Sequence, residues 1–258
     1  MSASTRATAA SLAEAPGIGL YGETDLHAEL KALYASPLAR YEVNIAGKIV
    51  DVVNPDEFVE IQTRNLAAIT AKVLSLACRG AVRVVYPIHA ERFIERLAGS
   101  ESFGADPAGA GLAMARRRSP LKRNFYHIFE ELVHAPRLVA SPNVSLDVLL
   151  VRVTELRRRS GVLYRGRYRD EVLERRLDAV LERRRFDSQA DWLNLLPANL
   201  DGPLTSGALG TALGIAPERA RQILYVYCRA GLLAEQGRAG RQKQYAYAAH
   251  TGRGETTT

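Results

Sequence analysis

A chain of 258 residues, 47% hydrophobic and 24% charged, has the length for one large or two small domains and the composition of an ordinary globular protein. No apolar run approaches the roughly 20 residues of a membrane-spanning helix, and Met1 to Ala15 lacks the apolar core of an export signal, so a cytoplasmic location is expected. The net charge of +7 is unevenly divided: residues 1–110 hold 10 Lys/Arg against 13 Asp/Glu and residues 111–258 hold 25 against 15, so the second part is the one expected to meet a polyanion, nucleic acid being the commonest.

Residues 1–18 read as a disordered tail. Thr24 is a plausible N-cap for a helix to about Ala35, with Leu26, Leu30, Leu33 and Tyr34 as its apolar stripe, Glu23 at its mouth and His27 one turn on. After Pro37 a first strand, Tyr41 to Ile45, is expected. Two β-branched runs, Lys48 to Val53 and Phe58 to Gln62, then flank the turn-forming Asn54-Pro55-Asp56-Glu57 and read as a β-hairpin. With that four-residue loop Val53 pairs with Phe58, and stepping back sets Asp51 opposite Glu60, with Gln62 on the same face. Like charges facing each other at about 5 Å are destabilising without a cation between them. Carboxylate oxygens are natural ligands of Mg2+ or Mn2+. Thr63 to Cys78 reads as a helix with Leu66, Ile69, Val73, Leu74 and Ala77 on one face, and Val82 to Ile88 as a buried strand. Helix, three strands, helix, strand is the order of a mixed α/β sheet flanked by helices.

Residues 99–124 carry Gly, Ser and Pro and end in a basic run containing Arg116, Arg117 and Arg118. They read as a linker that is either solvated or in contact with phosphates. Residues 125–185 read as a helical, Arg-rich connection. Phe125 to His134 is helical in pattern, and Val144 to Val153 is an apolar strand or helix. Arg165, Arg167 and Arg169 alternate with Tyr164 and Tyr168 in a manner suited to nucleic acid. Asp170 to Arg185 looks amphipathic, with Leu173, Leu177, Val180 and Leu181 inward. Cys78 and Cys228 have neither zinc-ligand nor redox-pair spacing, and the five histidines form no metal-type cluster.

From 186 to 249 three helical patterns, Ser188 to Leu196, Thr205 to Leu213 and Pro217 to Ala230, precede two short strands around a basic loop. This arrangement resembles a winged helix-turn-helix domain. If it binds DNA as such domains often do, Arg219, Arg221, Gln222, Tyr225 and Arg229 of the third helix meet the groove, with Arg238, Arg241 and Lys243 in the wing. Winged helices also join proteins to proteins. Residues 250–258 read as a second tail.

The stretch from about 20 to 97, read as a domain over 19–98, resembles the PD-(D/E)XK nuclease superfamily, the restriction-endonuclease-like fold. There an acid-bearing helix leads into a hairpin carrying Asp and then Glu-x-Lys, followed by a helix and a strand. The resemblance matches Glu23 to the helix acid, Asp51 to the aspartate and Glu60 to the glutamate. It departs from the family in having Val50 where a proline precedes the aspartate, and Gln62 where the lysine usually stands. The stretch is also similar to uncharacterised bacterial proteins with an EIQT element. The resemblance implies Mg2+ or Mn2+ on Asp51, Glu60 and the Ile61 carbonyl, hydrolysing phosphodiesters in DNA. Gln62 would position water, and Lys72 or Lys48 would supply the charge that Gln62 lacks. A homodimer is among the assemblies it implies. The alternative is a catalytically inactive nuclease-fold protein that binds DNA or regulates.

Overall fold

Helix α1 (Thr24–Tyr34) buries Leu26, Leu30 and Tyr34, which recur every four residues. Leu33, expected on that stripe, lies on its outer flank and is 58% exposed. The computed structural model describes residues 24–96, 115–164, 167–197 and 203–248. Glu23, Arg165, both expected tails and the segment 97–114 lie outside the described residues.

Strands β1 (Arg40–Ile45), β2 (Lys48–Val53) and β3 (Glu57–Ile61) form an antiparallel meander. Val53 pairs with Phe58, as the four-residue loop requires. Buried Asn54 fixes that loop to the end of α1. Its Oδ1 accepts from the Ser36 N–H at 2.9 Å, its Nδ2 donates to the Tyr34 carbonyl at 3.0 Å, and its own N–H donates to Glu57 O. Helix α2 (Leu66–Ala77) then crosses to β4 (Ala81–Arg96), which runs parallel to β3. The α2 helix buries Leu66, Val73, Leu76 and Ala77, about 1.5–3 kcal/mol for each of the larger side chains.

The rest of the chain departs from the expected connection. Within the expected linker, Ala115–Arg118 forms strand β5, antiparallel to the end of β4. A four-residue helix α3 (Phe129–Leu132) follows a 3-10 turn at Phe125–Ile128. Two long strands come next, β6 (Val144–Tyr164) and β7 (Arg167–Phe186), so the helix expected over 170–185 is a strand. The β6–β7 ladder slips at several bulges, and each slip resets the alternation of faces. Leu177 and Val180, three apart, consequently lie opposite Val153 and Val151, two apart, in an imitation of helical spacing. The arginines find acids across strands rather than along a helix: Arg175 meets Glu155, Arg176 meets Glu95 and Arg183 meets Asp147.

The result is a seven-stranded mixed sheet in the order β1-β2-β3-β4-β6-β7, with β5 on β4. On one face α1 packs Leu26 and Leu30 over Val52, Val59, Ile61, Val85, Leu149 and Val151. The other face is covered by α2 and α3 together with the C-terminal helices. These are α4 (Gln189–Leu193), α5 (Ser206–Leu213) and α6 (Pro217–Arg229), followed by the hairpin β8 (Leu233–Ala239) and β9 (Gln242–Tyr247). Ser188 and Thr205 cap α4 and α5, Gly214 ends α5 at φ 61, and Pro217 opens α6. No helix among the described residues is long and apolar enough to cross a membrane.

Candidate active site

The β2–β3 pairing ends at Val52 with Val59, and Asp51 and Glu60 are the next residues outward. There the strands part. The Ile61 N–H donates to Asp51 Oδ2 at 2.9 Å, a side chain standing in for a ladder bond. The two acids flank the splayed end of the hairpin but, instead of sharing one face as expected, reach opposite faces of the sheet: Val59 and Ile61, either side of Glu60, pack toward α1, so Glu60 turns toward α2. Asp51 takes its partners from α1: His27 Nε2 lies 3.4 Å from Oδ2 and Lys31 Nζ lies 3.5 Å from Oδ1. Glu60, only 2% exposed, receives Lys72 Nζ of α2 at 2.6 Å.

Their electrostatics differ accordingly. Burial opposes ionisation of Asp51, but the hydrogen bonds from His27 and Ile61 outweigh it and hold its carboxyl below the usual range. At Glu60 burial wins over the Lys72 hydrogen bond and charge, and the neighbouring Asp51 charge pushes the same way, so its carboxyl is pushed up to about 7. One acid is a committed anion and the other is poised to take or lose a proton near neutrality.

The donor set suits a hard divalent cation. His27 Nε2 stands between Asp51 Oδ2 and the Ile61 carbonyl, 3.1 Å from the latter, so two of the oxygens implied as metal ligands already converge on one cationic or donor atom. Glu60 Oε1 is buried without a hydrogen-bond partner. These are two carboxylates and a carbonyl. Among the described residues no group of three or more His, Cys, Asp or Glu side chains is arranged to hold a metal.

Gln62 is placed beside the acids by its backbone, whose N–H donates to Val85 O at 2.9 Å. Its side-chain amide donates to the carbonyls of Arg64 and Asn65 and ties the turn into α2. Lys72, rather than Lys48, reaches an acid; Lys48 sits opposite Ile45 at the far end of β2. Lys31 was not singled out from the sequence, and His27 was noted only for its place one turn past Glu23. The available signal was their i, i+4 spacing on α1, one position past Leu26 and Leu30, which sets both at the edge of the buried stripe.

The basic residues fall into three groups. Arg116 stacks on Phe93 at 4.4 Å and faces Glu95 and Asp178; Arg118 pairs with Glu91 at 2.7 Å; Arg117 between them is exposed. Arg167 opens β7. On α6, Arg221, Tyr225 and Arg229 form an exposed stripe, whereas Gln222 is half-buried and Arg219 is turned inward, ion-paired with Glu130 of α3. Arg238, Arg241 and Lys243 are exposed on the β8–β9 hairpin, with Lys243 on Glu235 at 2.7 Å.

An uncharacterized protein of Treponema pallidum (strain Nichols) is 29% identical over 228 residues, which are 86% of this chain and 84% of that protein. No solved structure matches the chain. A family model described as a domain of unknown function, DUF8091, matches residues 24–187. That span begins with α1 and closes just after Phe186, the last residue of β7, so it takes in the whole seven-stranded sheet. On this match the chain belongs to the DUF8091 family.

Proposed function

We propose that the protein is a metal-dependent nuclease of the PD-(D/E)XK type, with a restriction-endonuclease-like sheet that hydrolyses phosphodiesters in DNA and a winged-helix module that helps hold the duplex. The observation that supports this reading is the placement of Asp51 and Glu60 where the β2–β3 pairing stops, with Lys72 Nζ at 2.6 Å from Glu60. Lys72 supplies from α2 the positive charge that Gln62 cannot. The order α1, three strands, α2, β4 agrees with the resemblance in every element.

In this reading Asp51, Glu60 and the Ile61 carbonyl hold Mg2+ or Mn2+. The metal, when bound, acidifies a water and polarises the phosphate. Lys72 faces the negative charge that grows on the phosphoryl oxygens. His27 and Lys31 hold the Asp51 carboxylate in place. Gln62 orders the turn that carries Lys72's helix, a positioning role. Arg221, Tyr225, Arg229, Arg238, Arg241 and Lys243 offer the duplex an exposed basic and aromatic surface.

Incubation of the purified chain with labelled DNA and Mn2+ should give cut or nicked strands. Asp51→Asn and Glu60→Gln should abolish cutting, a loss of at least about 100-fold, while leaving binding in EDTA intact. Cutting that survives both changes refutes the mechanism. A second reading, a nuclease-fold protein that binds DNA without cutting it, is favoured by one observation. His27, Lys31 and Lys72 already neutralise both acids. Calorimetric titration with Mn2+ separates the two, since equal binding to wild type and Asp51→Asn, or none to either, supports the non-catalytic reading.

A further inference from the structure

Glu155 on β6 is 1% exposed and is gripped by three guanidinium groups. Arg175 donates through Nε and Nη2 at 3.2 and 3.1 Å to one carboxylate oxygen, Arg92 approaches that oxygen at 3.5 Å, and Arg157 binds the other through Nε at 3.0 Å and Nη2. Neighbouring arginines on the sheet have acids more nearly in proportion: Arg83 has Glu57, Arg183 has Asp147, and Arg158 has Glu171. At Glu155 the cluster carries two positive charges more than its one carboxylate balances. Two nitrogens there are also unpartnered, Arg92 Nε and His89 Nε2, both buried. Burial together with the charges of Arg175 and Arg92 pushes His89 down to about 4, so it enters as a neutral imidazole that can donate one hydrogen bond. The arginines remain partly open, with side chains 19–27% exposed.

The cluster's position relative to the acids is set by strand registers. β3 accompanies β4 only to Ile61 opposite Val85, and β5 joins β4 only from Phe93. Between these two pairings no strand of the described residues takes that edge of β4. The acid pair lies at one end of this interval and Arg92 at the other. Seven residues of strand separate Val85 from Arg92, about 20 Å, a span of a few nucleotides. Val151 and Val153, on the same face of β6 as Glu155, pack in the α1-side core, so the cluster shares the face from which His27 and Lys31 reach Asp51.

We infer that Arg92, Arg157 and Arg175, organised on Glu155 and joined by His89, form a subsite for a backbone phosphate of the nucleic acid, a few nucleotides from the acid pair. The three planar forks suit phosphate oxygens, and Glu155 holds them in place until the anion arrives. This subsite rests on the nuclease reading only for its ligand class.

Anisotropy of a fluorescein-labelled DNA duplex, titrated with the full chain in EDTA over a series of KCl concentrations, tests it. The double variant Arg92→Gln, Arg175→Gln should bind more weakly, with a slope of log K against log salt shallower by about 1. Glu155→Gln, which leaves all three guanidiniums and removes their competitor, should bind more tightly than wild type. A purely structural ion cluster predicts lower thermal stability for both variants with an unchanged slope. An unchanged slope, or no gain from Glu155→Gln, overturns the subsite. Protection of the wild type against heat by inorganic phosphate, with the DNA slope unaffected by the double variant, overturns the backbone assignment in favour of free phosphate. Because no metal is present, these outcomes are independent of cutting: loss of activity in Asp51→Asn alongside an unchanged slope in the arginine variant would sink the subsite and spare the nuclease.

Discussion

Glu60 sets the chemistry of the site because burial lifts its carboxyl to about 7 from an ordinary 4.5, against Lys72 at 2.6 Å. Between those values the folded chain keeps a proton that the unfolded chain has released, so stability is greatest at the acid end and falls as pH rises toward 7. The loss is at most about 3 kcal/mol. Urea denaturation of wild type should show this decline between pH 5 and 8, and Glu60→Gln should lack it; parallel profiles would contradict the buried-carboxyl account. Asp51 has the opposite sign. Its lowered pKa contributes stability above the ordinary carboxylate range that is lost as pH falls through the folded value. Lys72→Met leaves Glu60 buried without its cation. That should cost about 3–5 kcal/mol at pH 8 and much less at pH 5, where Glu60 is protonated; a pH-independent cost would mean that Lys72 acts through packing.

At the scale of elements, α2 is the lever that brings Lys72 to Glu60, and its start is fixed by Asn65. That residue adopts a left-handed conformation at φ 55 and its side chain accepts from the Ala68 N–H, while Glu131 accepts from the Leu66 N–H at 2.9 Å. Asn65→Ala loses the cap and forces a Cβ-bearing residue into that conformation without local hydrogen bonding, so about 1–2 kcal/mol of stability should go. Asn65→Gly keeps the conformation accessible and should cost only a few tenths. Equal losses in chemical denaturation would show that the cap, and not the backbone, matters. The hairpin was legible because two short β-branched runs flank an Asn-Pro-Asp-Glu turn that sets Val53 opposite Phe58; the irregularity at Asp51, across which Val50 and Val52 pack on opposite faces, was not. Lys72 was legible as a candidate, while the grip of His27 and Lys31 on Asp51 was not, since it depends on how α1 lies across the sheet. The strand β7 was misread as a helix because bulges turn a period of two into an apparent period near three and a half, and because seven arginines along residues 167–186 hide the alternation. The C-terminal helices were legible from local punctuation: the caps Ser188 and Thr205, the stop at Gly214 and the start at Pro217.

Across the whole molecule, the C-terminal helices and the sheet share one core. The Trp192 ring stacks on Phe186 at 4.0 Å, and Phe129 meets Trp192 and Tyr227 edge-on at 6.2 and 5.6 Å. The Tyr227 hydroxyl donates to the Trp192 carbonyl inside this cluster, and Arg219 of α6 closes its rim on Glu130. Phe186 belongs to β7 and Phe129 to α3, while Trp192 and Tyr227 belong to α4 and α6, so four elements on both sides of residue 187 meet in one aromatic knot. A module joined this way is a rigid partner of the sheet, whereas a module on a flexible tether would not be. Trp192 is the single tryptophan of the chain and sits in the knot, 2% exposed, which makes its fluorescence a reporter of that junction. Thermal or urea unfolding followed by Trp192 fluorescence should therefore coincide with the loss of sheet signal in far-UV circular dichroism, as one cooperative transition. Trp192→Ala should cost about 3–5 kcal/mol and lower the stability of the sheet along with that of the C-terminal helices. Two separated transitions, or a Trp192→Ala variant whose sheet unfolds at the wild-type midpoint, would show instead that the two parts fold independently and that the aromatic contacts join them only loosely.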